Sequence, residues 1–211
     1  MARAPRRGEV RVALEPVIGP EACVVLQTLL VLQAVAWARA LNPRGVFVAC
    51  EPADAVRELR ELLGEGVTVV PQNGDGIAGR LIDASARVFV HGPGPLLVVW
   101  PDLPVLRPDH ATGALSDLAA GASVVLGPVF EGGFYLLGID GPAPALFSLP
   151  ESFWRGADGF VLALAAGAKG EREVGMLRPE RGLHRPADVR AALVDPLTPR
   201  AVVRALSGGR R

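Results

Sequence analysis

The sequence predicts an α/β protein, a three-layer sandwich with a mostly parallel sheet, and three observations predict it. Short apolar runs, among them residues 96–100 (LLVVW) and 123–126 (SVVL), stop abruptly at Pro or Gly, as buried strands of a parallel sheet do. Longer stretches between them carry helix start and stop signals. The two kinds alternate along the chain, the pattern of a sheet covered by helices.

The elements follow in order. Pro20 and Glu21 open a helix, with proline at the first position and an acid beside the positive helix end; it is expected to run to about Leu41. Residues 45–50 (GVFVAC) form a strand, and 52–63 an amphipathic helix ended by Gly64. A strand at 67–70 and a helix at 77–87 follow, then the strand at 96–100. Residues 108–120 form a helix closed by Gly121; 123–126 and 134–139 are strands. Helices are expected at 144–149 and 153–166, an edge strand at 173–177, and a last helix from Pro186 to about Leu193. The chain reads as a single domain over residues 1–205 with a flexible tail at 206–211.

Composition narrows the function. The 211 residues suffice for one domain with a full core. Twenty-two basic residues balance twenty-two acidic ones, which argues against a nucleic-acid partner. Cys23 and Cys50 have no metal-ligand spacing and suit a reducing compartment. The apolar run at 23–38 is interrupted by Gln27, Thr28 and Gln33 and is too short for a membrane span. The expectation is a cytoplasmic protein with this run as a buried helix.

Chemistry-bearing residues gather where strands end, and open α/β sheets bind ligands at the carboxyl ends of their strands. Asp102, between Pro101 and Leu103-Pro104, could ligate Mg²⁺ or Mn²⁺, or be a turn or cap aspartate. Glu131-Gly132-Gly133 sets a carboxylate where the backbone can approach a ligand, or forms a hairpin turn. Asp102 and Glu131 are expected to face one cleft. Arg3, Arg6, Arg7 and Arg11 surround Gly8 and suit phosphate binding through paired guanidinium donors; a disordered basic N-terminus is the alternative. Gln72, in the loop PQNGDG ahead of Arg80, could read a base edge, or belong to an ordinary loop. His184 reads as a surface residue at a helix start, and Trp154, after Phe153, as core rather than a stacking platform. No Walker loop, G-x-S-x-G or paired-Cys zinc pattern is present.

The order of these pieces resembles the bacterial nucleotidyltransferase-like glycosyltransferases once grouped as a domain of unknown function, some of them tied to arsenosugar biosynthesis. These are relatives of the MobA/CofC-type nucleotidyltransferases with the GT-A (nucleotide-diphospho-sugar transferase) fold. The opening MARAPRRGEVRVAL is similar to the family's F-A-K-A-P-x-P-G-x-V-K-T-R-L, with Arg3 and Arg11 at the two lysines, and Val12 and Ala13 replacing Thr and Arg. Residues 71–81 resemble P-Q-x-x-G-D-L-G-x-R-L, keeping Gln72 and Arg80. Residues 100–104 resemble G-x-D-x-P. The most specific block, 127–138, resembles G-P-x-x-D-G-G-Y-Y-L-L-G with Glu131 for the Asp, and His184 stands where the late motif has an Asp.

The resemblance implies a transferase, glycosyl or nucleotidyl, using a nucleotide sugar or nucleoside triphosphate and an unknown small-molecule acceptor. It implies Arg3, Gly8 and Arg11 at the phosphates, and Gln72 and Arg80 on the nucleotide side. Asp102 and His184 would hold the metal, Glu131 would be catalytic by orienting the acceptor, and Gly132, Gly133 and Trp154 would lie at the substrate. With histidine in place of a carboxylate, Mn²⁺ is favoured over Mg²⁺. The substitutions at Val12, Ala13 and His184 favour a second reading, a catalytically degenerate member that still binds a nucleotide. The alignment also sets Met1 at the end of a central strand. The expectation is therefore that the natural protein starts upstream of Met1, that the first strand is missing or truncated, and that the loop at 3–11 is poorly anchored.

Overall fold

The computed structural model describes residues 1–142, 147, 153–154 and 173–208. The helices expected at 144–149 and 153–166 lie outside the described residues, apart from the helical Phe147, Phe153 and Trp154. The fold is α/β, and the chain divides into two compact units. The first takes Met1–Pro71, Pro101–Leu106 and the described residues from Arg181 on; the second takes Gln72–Trp100 and the described residues from Arg107 to Glu180.

The first unit is built on a three-stranded parallel sheet. Its strands are β1 (Ala2–Arg3), β2 (Phe47–Glu51) and β3 (Thr68–Pro71), in the order β1-β2-β3. A short 3₁₀ turn and helix α1 (Glu15–Ile18) lead to α2 (Pro20–Ala40), which starts as its proline directs. Helix α3 (Val56–Leu63) joins β2 to β3, and α6 (Pro186–Val194) and α7 (Arg200–Leu206) close the unit. Helix α2 is apolar nearly all round because it serves two cores. Its first half packs Cys23, Leu26 and Leu30 with Leu183, Val189, Val202 and Leu206. Its second half packs Val31 and Val35 with Ala2, Ala4, Val48, Leu59 and Val69. Its 21 residues also reach the length of a membrane crossing, which the apolar run alone did not.

The opening residues form the short strand at a sheet edge that a truncated first strand implies. Ala2 and Ala4 are buried and Arg3 points outward, so the A-R-A run alternates like a strand edge despite its polar appearance. The strand β1 is two residues long and lies at the edge of its sheet. Helix α7 was not expected; its seven residues are helical because Val202, Ala205 and Leu206 are buried.

The second unit holds a four-stranded mixed sheet in the order β4-β6-β5-β7, where β4 is Leu96–Val99, β5 Val124–Pro128, β6 Phe134–Ile139 and β7 Val174–Met176. Helices α4 (Gly76–Phe89) and α5 (Pro108–Ala119) belong to it. The two central strands are buried along their whole length, which accounts for their continuous apolar runs. The β4 run, read as a buried strand, is an edge strand of half-buried residues. Both β4 and β5 run antiparallel to β6, so they run parallel to each other and end at the same edge of this sheet.

Gly127 marks tight packing in the unit. A Cβ there would lie 2.6 Å from the ring of Tyr135, a residue with no exposure. The Gly127→Ala variant is expected to lose about 1–3 kcal/mol through overpacking; the shift of the urea midpoint at constant slope measures it.

Candidate functional site

The loop after β1 is firmly held, against expectation. Arg3 pairs with Glu51 at 3.0 Å, Arg6 with Glu58 at 2.9 Å and Asp54 at 3.2 Å, and Arg7 with Glu21 at 2.9 Å. Gly8 turns the loop at φ 73°, where a side chain would be strained. All three arginines therefore have an acid of their own unit within reach. The outer pairs are solvent-exposed and weak.

Arg11 differs from these three. Its backbone is left-handed, φ 52°, an uncommon conformation for a non-glycine residue, and its side chain turns inward to 7% exposure. Nε donates to Gln27 Oε1 at 3.0 Å and Nη1 to the Leu183 carbonyl at 2.9 Å. Nη2 donates to the Pro101 carbonyl at 2.6 Å and to Asp102 Oδ1 at 2.9 Å. One guanidinium thus joins the loop, helix α2, the segment after β4 and the segment before α6. Gln27, 4% exposed, completes the joint by donating Nε2 to the Arg3 carbonyl at 2.9 Å. Sequence reading missed its role, although a glutamine inside an apolar helix run was the available signal.

Asp102 is 23% exposed, with Oδ1 taken by Arg11 and Oδ2 4.0 Å from His184 Nε2. Its carbonyl accepts from the Leu183 N–H at 2.9 Å, so the two segments are tied through backbone as well as side chains. The imidazole lies over Gly182, where a Cβ would come within 2.4 Å of Nε2; only glycine leaves room for the ring in this place. Asp188, 1% exposed, holds the turn. Its Oδ2 accepts from the His184 N–H at 3.1 Å and the Arg185 N–H at 2.8 Å, and its Oδ1 from Arg181 Nη1 at 3.0 Å. This is an acid in the first turn of α6 satisfying the donors that a helix start leaves open. His184 is thus a partly exposed residue at a helix start, held in a built turn.

Cys23 donates Sγ–H to the Arg11 carbonyl at 3.5 Å. Burial, with the Glu15 carboxylate adding, raises its pKa, and burial likewise raises that of Cys50. Both thiols are packing residues, not nucleophiles.

In the second unit, Gln72 is half-buried at the head of the loop before α4, and Arg80 is half-buried on that helix. The loop is drawn tight over the helix start, since a Cβ on Gly74 (φ 102°) would strike the Gly79 backbone at 2.6 Å. The turn from β5 to β6 carries half-buried Glu131, with Gly132 and Gly133 at φ 98° and 83°. It is closed by the Gly132 N–H to the Val129 carbonyl and the Val129 N–H to the Gly133 carbonyl, both 3.1 Å. Trp154 is 4% exposed in an aromatic cluster, its ring edge-on to Phe153 at 4.9 Å and to Phe134 at 6.2 Å. Its carbonyl lies 3.1 Å from where a Gly133 Cβ would be, so that glycine answers to packing as well as to the turn.

A polar cluster that sequence reading did not find lies at the start of α5. Glu180 Oε1 accepts from Arg178 Nη2 at 2.7 Å and Arg107 Nη2 at 3.3 Å, and lies 3.1 Å from His110 Nε2. The Arg107 N–H donates to His110 Nδ1 at 3.3 Å, which leaves the ring proton on Nε2 facing the carboxylate. Tyr135 lies tilted at 54° to His110, ring centres 5.0 Å apart, and donates to the Arg178 carbonyl at 3.3 Å; burial first and Glu180 second raise its pKa. No spacing in the sequence links residues 107, 110, 135 and 180.

Among the described residues no group of three His, Cys, Asp or Glu side chains could hold a metal ion. The donor set at Asp102 and His184 nonetheless fits a divalent cation of the kind that takes one or two protein ligands and completes its shell with water and phosphate oxygens. One hard oxygen and one imidazole nitrogen stand 4.0 Å apart, both reachable from solvent.

The comparisons place the chain in a family. Residues 34–151 match the family described as uncharacterized protein conserved in bacteria (DUF2064), and the chain belongs to it. The match includes Gln72, Arg80, Asp102 and the Glu131 turn, whereas the opening loop and His184 lie outside it. Among solved structures, a Desulfovibrio desulfuricans G20 protein, provisionally named a nucleotide-diphospho-sugar transferase, is similar over 97% of this chain and 90% of its own. Its TM-score is 0.83 at 21% identity. The Mycobacterium tuberculosis rv0371c homologue from Mycobacterium sp. strain JC1 is similar over 96% of this chain and 95% of its own, with a TM-score of 0.53 at 18% identity. These likenesses establish the fold. No curated protein matches the chain.

Proposed function

We propose that the chain is a transferase that uses a nucleotide sugar or nucleoside triphosphate, and that Asp102 is its central residue. One observation carries the reading: a carboxylate just past the end of β4 is aimed by a buried arginine through one oxygen and presents the other to His184. The name of the Desulfovibrio relative supports the substrate class. In this reading Asp102 and His184 hold Mn²⁺ in preference to Mg²⁺. The cation supplies charge neutralisation of the phosphates on the leaving side. Arg11 fixes Asp102 in place. Arg3 meets phosphate by exchanging Glu51 for it, and Gly8 lets the loop backbone come close. In the second unit Gln72 and Arg80 take the nucleotide side, Glu131 orients the acceptor, and Gly132 and Gly133 keep its turn narrow, with Trp154 packed behind it. Bond making is the acceptor's attack on the transferred group, and a nucleoside diphosphate or pyrophosphate leaves. The protein contributes positioning and electrostatics. Kinship with the MobA/CofC-type enzymes is part of this proposal.

A second reading is favoured by a specific observation: Arg3, Arg6 and Arg7 already have acid partners. A family member that binds a nucleotide without turning it over would show this arrangement. Incubation with a panel of nucleotide sugars separates the two, because hydrolysis or transfer that releases nucleoside diphosphate requires the first reading.

The metal assignment gives a direct expectation. Calorimetry should show Mn²⁺ binding tighter than Mg²⁺, and the Asp102→Ala variant should lose about tenfold or more in Mn²⁺ affinity, about 1.4 kcal/mol. Equal Mn²⁺ binding in the wild type and the variant rules out Asp102 as the ligand.

A further inference from the structure

Helix α2 bears an apolar stripe that the cores cover only in part, Ala22 and Leu29 lying half-buried against the first of them. Ala22, Val25, Leu29, Leu32 and Ala36 recur at alternating three- and four-residue steps along one face, the spacing of a coiled-coil seam. Val25 is 51% exposed and Leu32 39%. Ala22, Val25 and Leu29 form one wall of a groove of about 420 Å³, and Ala201, Arg204 and Ala205 of α7 form the other. A contiguous apolar face of this kind marks an interaction surface.

The charges at its ends say what covers it. Glu21 and Arg39 lie eighteen residues apart on α2, about five whole turns, so they stand on the same side of the stripe at opposite ends. Arg39 is held there by the Leu63 and Glu65 carbonyls, and Glu21, ion-paired with Arg7 at 2.9 Å, stays largely exposed. The midpoint between the two charges is Leu30, and the midpoint of the stripe is Leu29. A two-fold axis at this point brings Glu21 of one copy level with Arg39 of the other, twice, while the apolar stripe meets itself. Antiparallel pairing also opposes the helix dipoles, and a parallel pair would set like charges together. A bilayer would have to take in Glu21 and the groove-lining Arg204, at a cost that a second copy avoids.

We propose that this face is a self-complementary dimer interface, through which two copies of the chain pair antiparallel along α2. Gel filtration with light scattering on the full chain should give twice the chain mass, falling to the monomer on dilution. Val25→Glu with Leu32→Glu should give a monomer at every concentration, melting cooperatively at the temperature of the wild type diluted to monomer, since both positions are exposed. Glu21→Arg should weaken the dimer tenfold or more, and adding Arg39→Glu should restore it. As an independent check, Leu29→Cys puts a thiol beside the axis. Its oxidation should cross-link two chains, and the added Val25→Glu should abolish the cross-link. Three results overturn the proposal: a wild type that stays monomeric at all concentrations, a dimer that survives the paired glutamates, or a monomer that floats with phosphatidylcholine–phosphatidylglycerol vesicles.

Discussion

Replacing Arg11 with methionine is expected to cost about 3–5 kcal/mol of unfolding free energy, the range for breaking a buried ion pair from one side. Methionine keeps the packing volume of the stem but removes every donor. The carboxylate of Asp102 then loses its partner, and the Gln27 side chain and the Leu183 and Pro101 carbonyls each lose a hydrogen bond. Against a whole-domain stability of roughly 5–15 kcal/mol, this is a large fraction. Arg11→Lys should fall between, because one ammonium keeps the charge but cannot reach four acceptors in a plane. Urea denaturation followed by circular dichroism measures both. A methionine variant within 1 kcal/mol of wild type, by the same order-of-magnitude scale, would mean that Arg11 is not the joint described above.

Asp188→Ala is expected to cost about 2–3 kcal/mol, because three hydrogen bonds to one buried carboxylate are lost and two amide donors are left open. The pair with Arg181 adds little, since that arginine is half-exposed. Asp188→Asn keeps an acceptor oxygen for the two amides and should lose about half as much. A second readout separates a positioning role from a purely structural one. If Asp188 sets the turn that carries His184, then Asp188→Ala should lower Mn²⁺ affinity as His184→Ala does, and Asp188→Asn should largely preserve it. Unchanged Mn²⁺ affinity in a folded Asp188→Ala protein would show that the turn does not position the imidazole.

Most elements were legible because their signals are local. Pro20 with Glu21 marks the start of α2, and the apolar block after Gly133 gives β6 its bounds, 134–139. Where the sequence misled, the deciding interactions were distant. The opening A-R-A contains no apolar run, yet its two buried alanines set it beside β2. The β4 run looked like a buried strand, yet strand order within a sheet is set by tertiary pairing and leaves no mark in a four-residue apolar run. Helix α7 is too short to show a period and is made helical by its burial.

The candidate site was legible in part. Asp102 stood out because an acid between two prolines ends an apolar run. The inward turn of Arg11 did not, because its partners are 91 and 172 residues away along the chain and only its left-handed backbone aims the side chain there. His184 read locally as a surface residue at a helix start and as a metal ligand only through the family resemblance; the Gly182 that makes room for it and the Asp188 that holds it are contacts, not motifs. The Glu180 cluster left no periodic trace at all.

The most direct test of the account is a calorimetric titration of nucleoside diphosphates and nucleotide sugars in the presence of Mn²⁺, into the wild type and Asp102→Asn. Asparagine keeps an oxygen for Arg11 and removes only the charge. The account predicts that at least one nucleotide binds the wild type and that the variant, folded by circular dichroism though less stable without the counter-charge of Arg11, binds it at least tenfold more weakly, about 1.4 kcal/mol. Equal affinity in the two proteins, or no binding by any nucleotide, would contradict it.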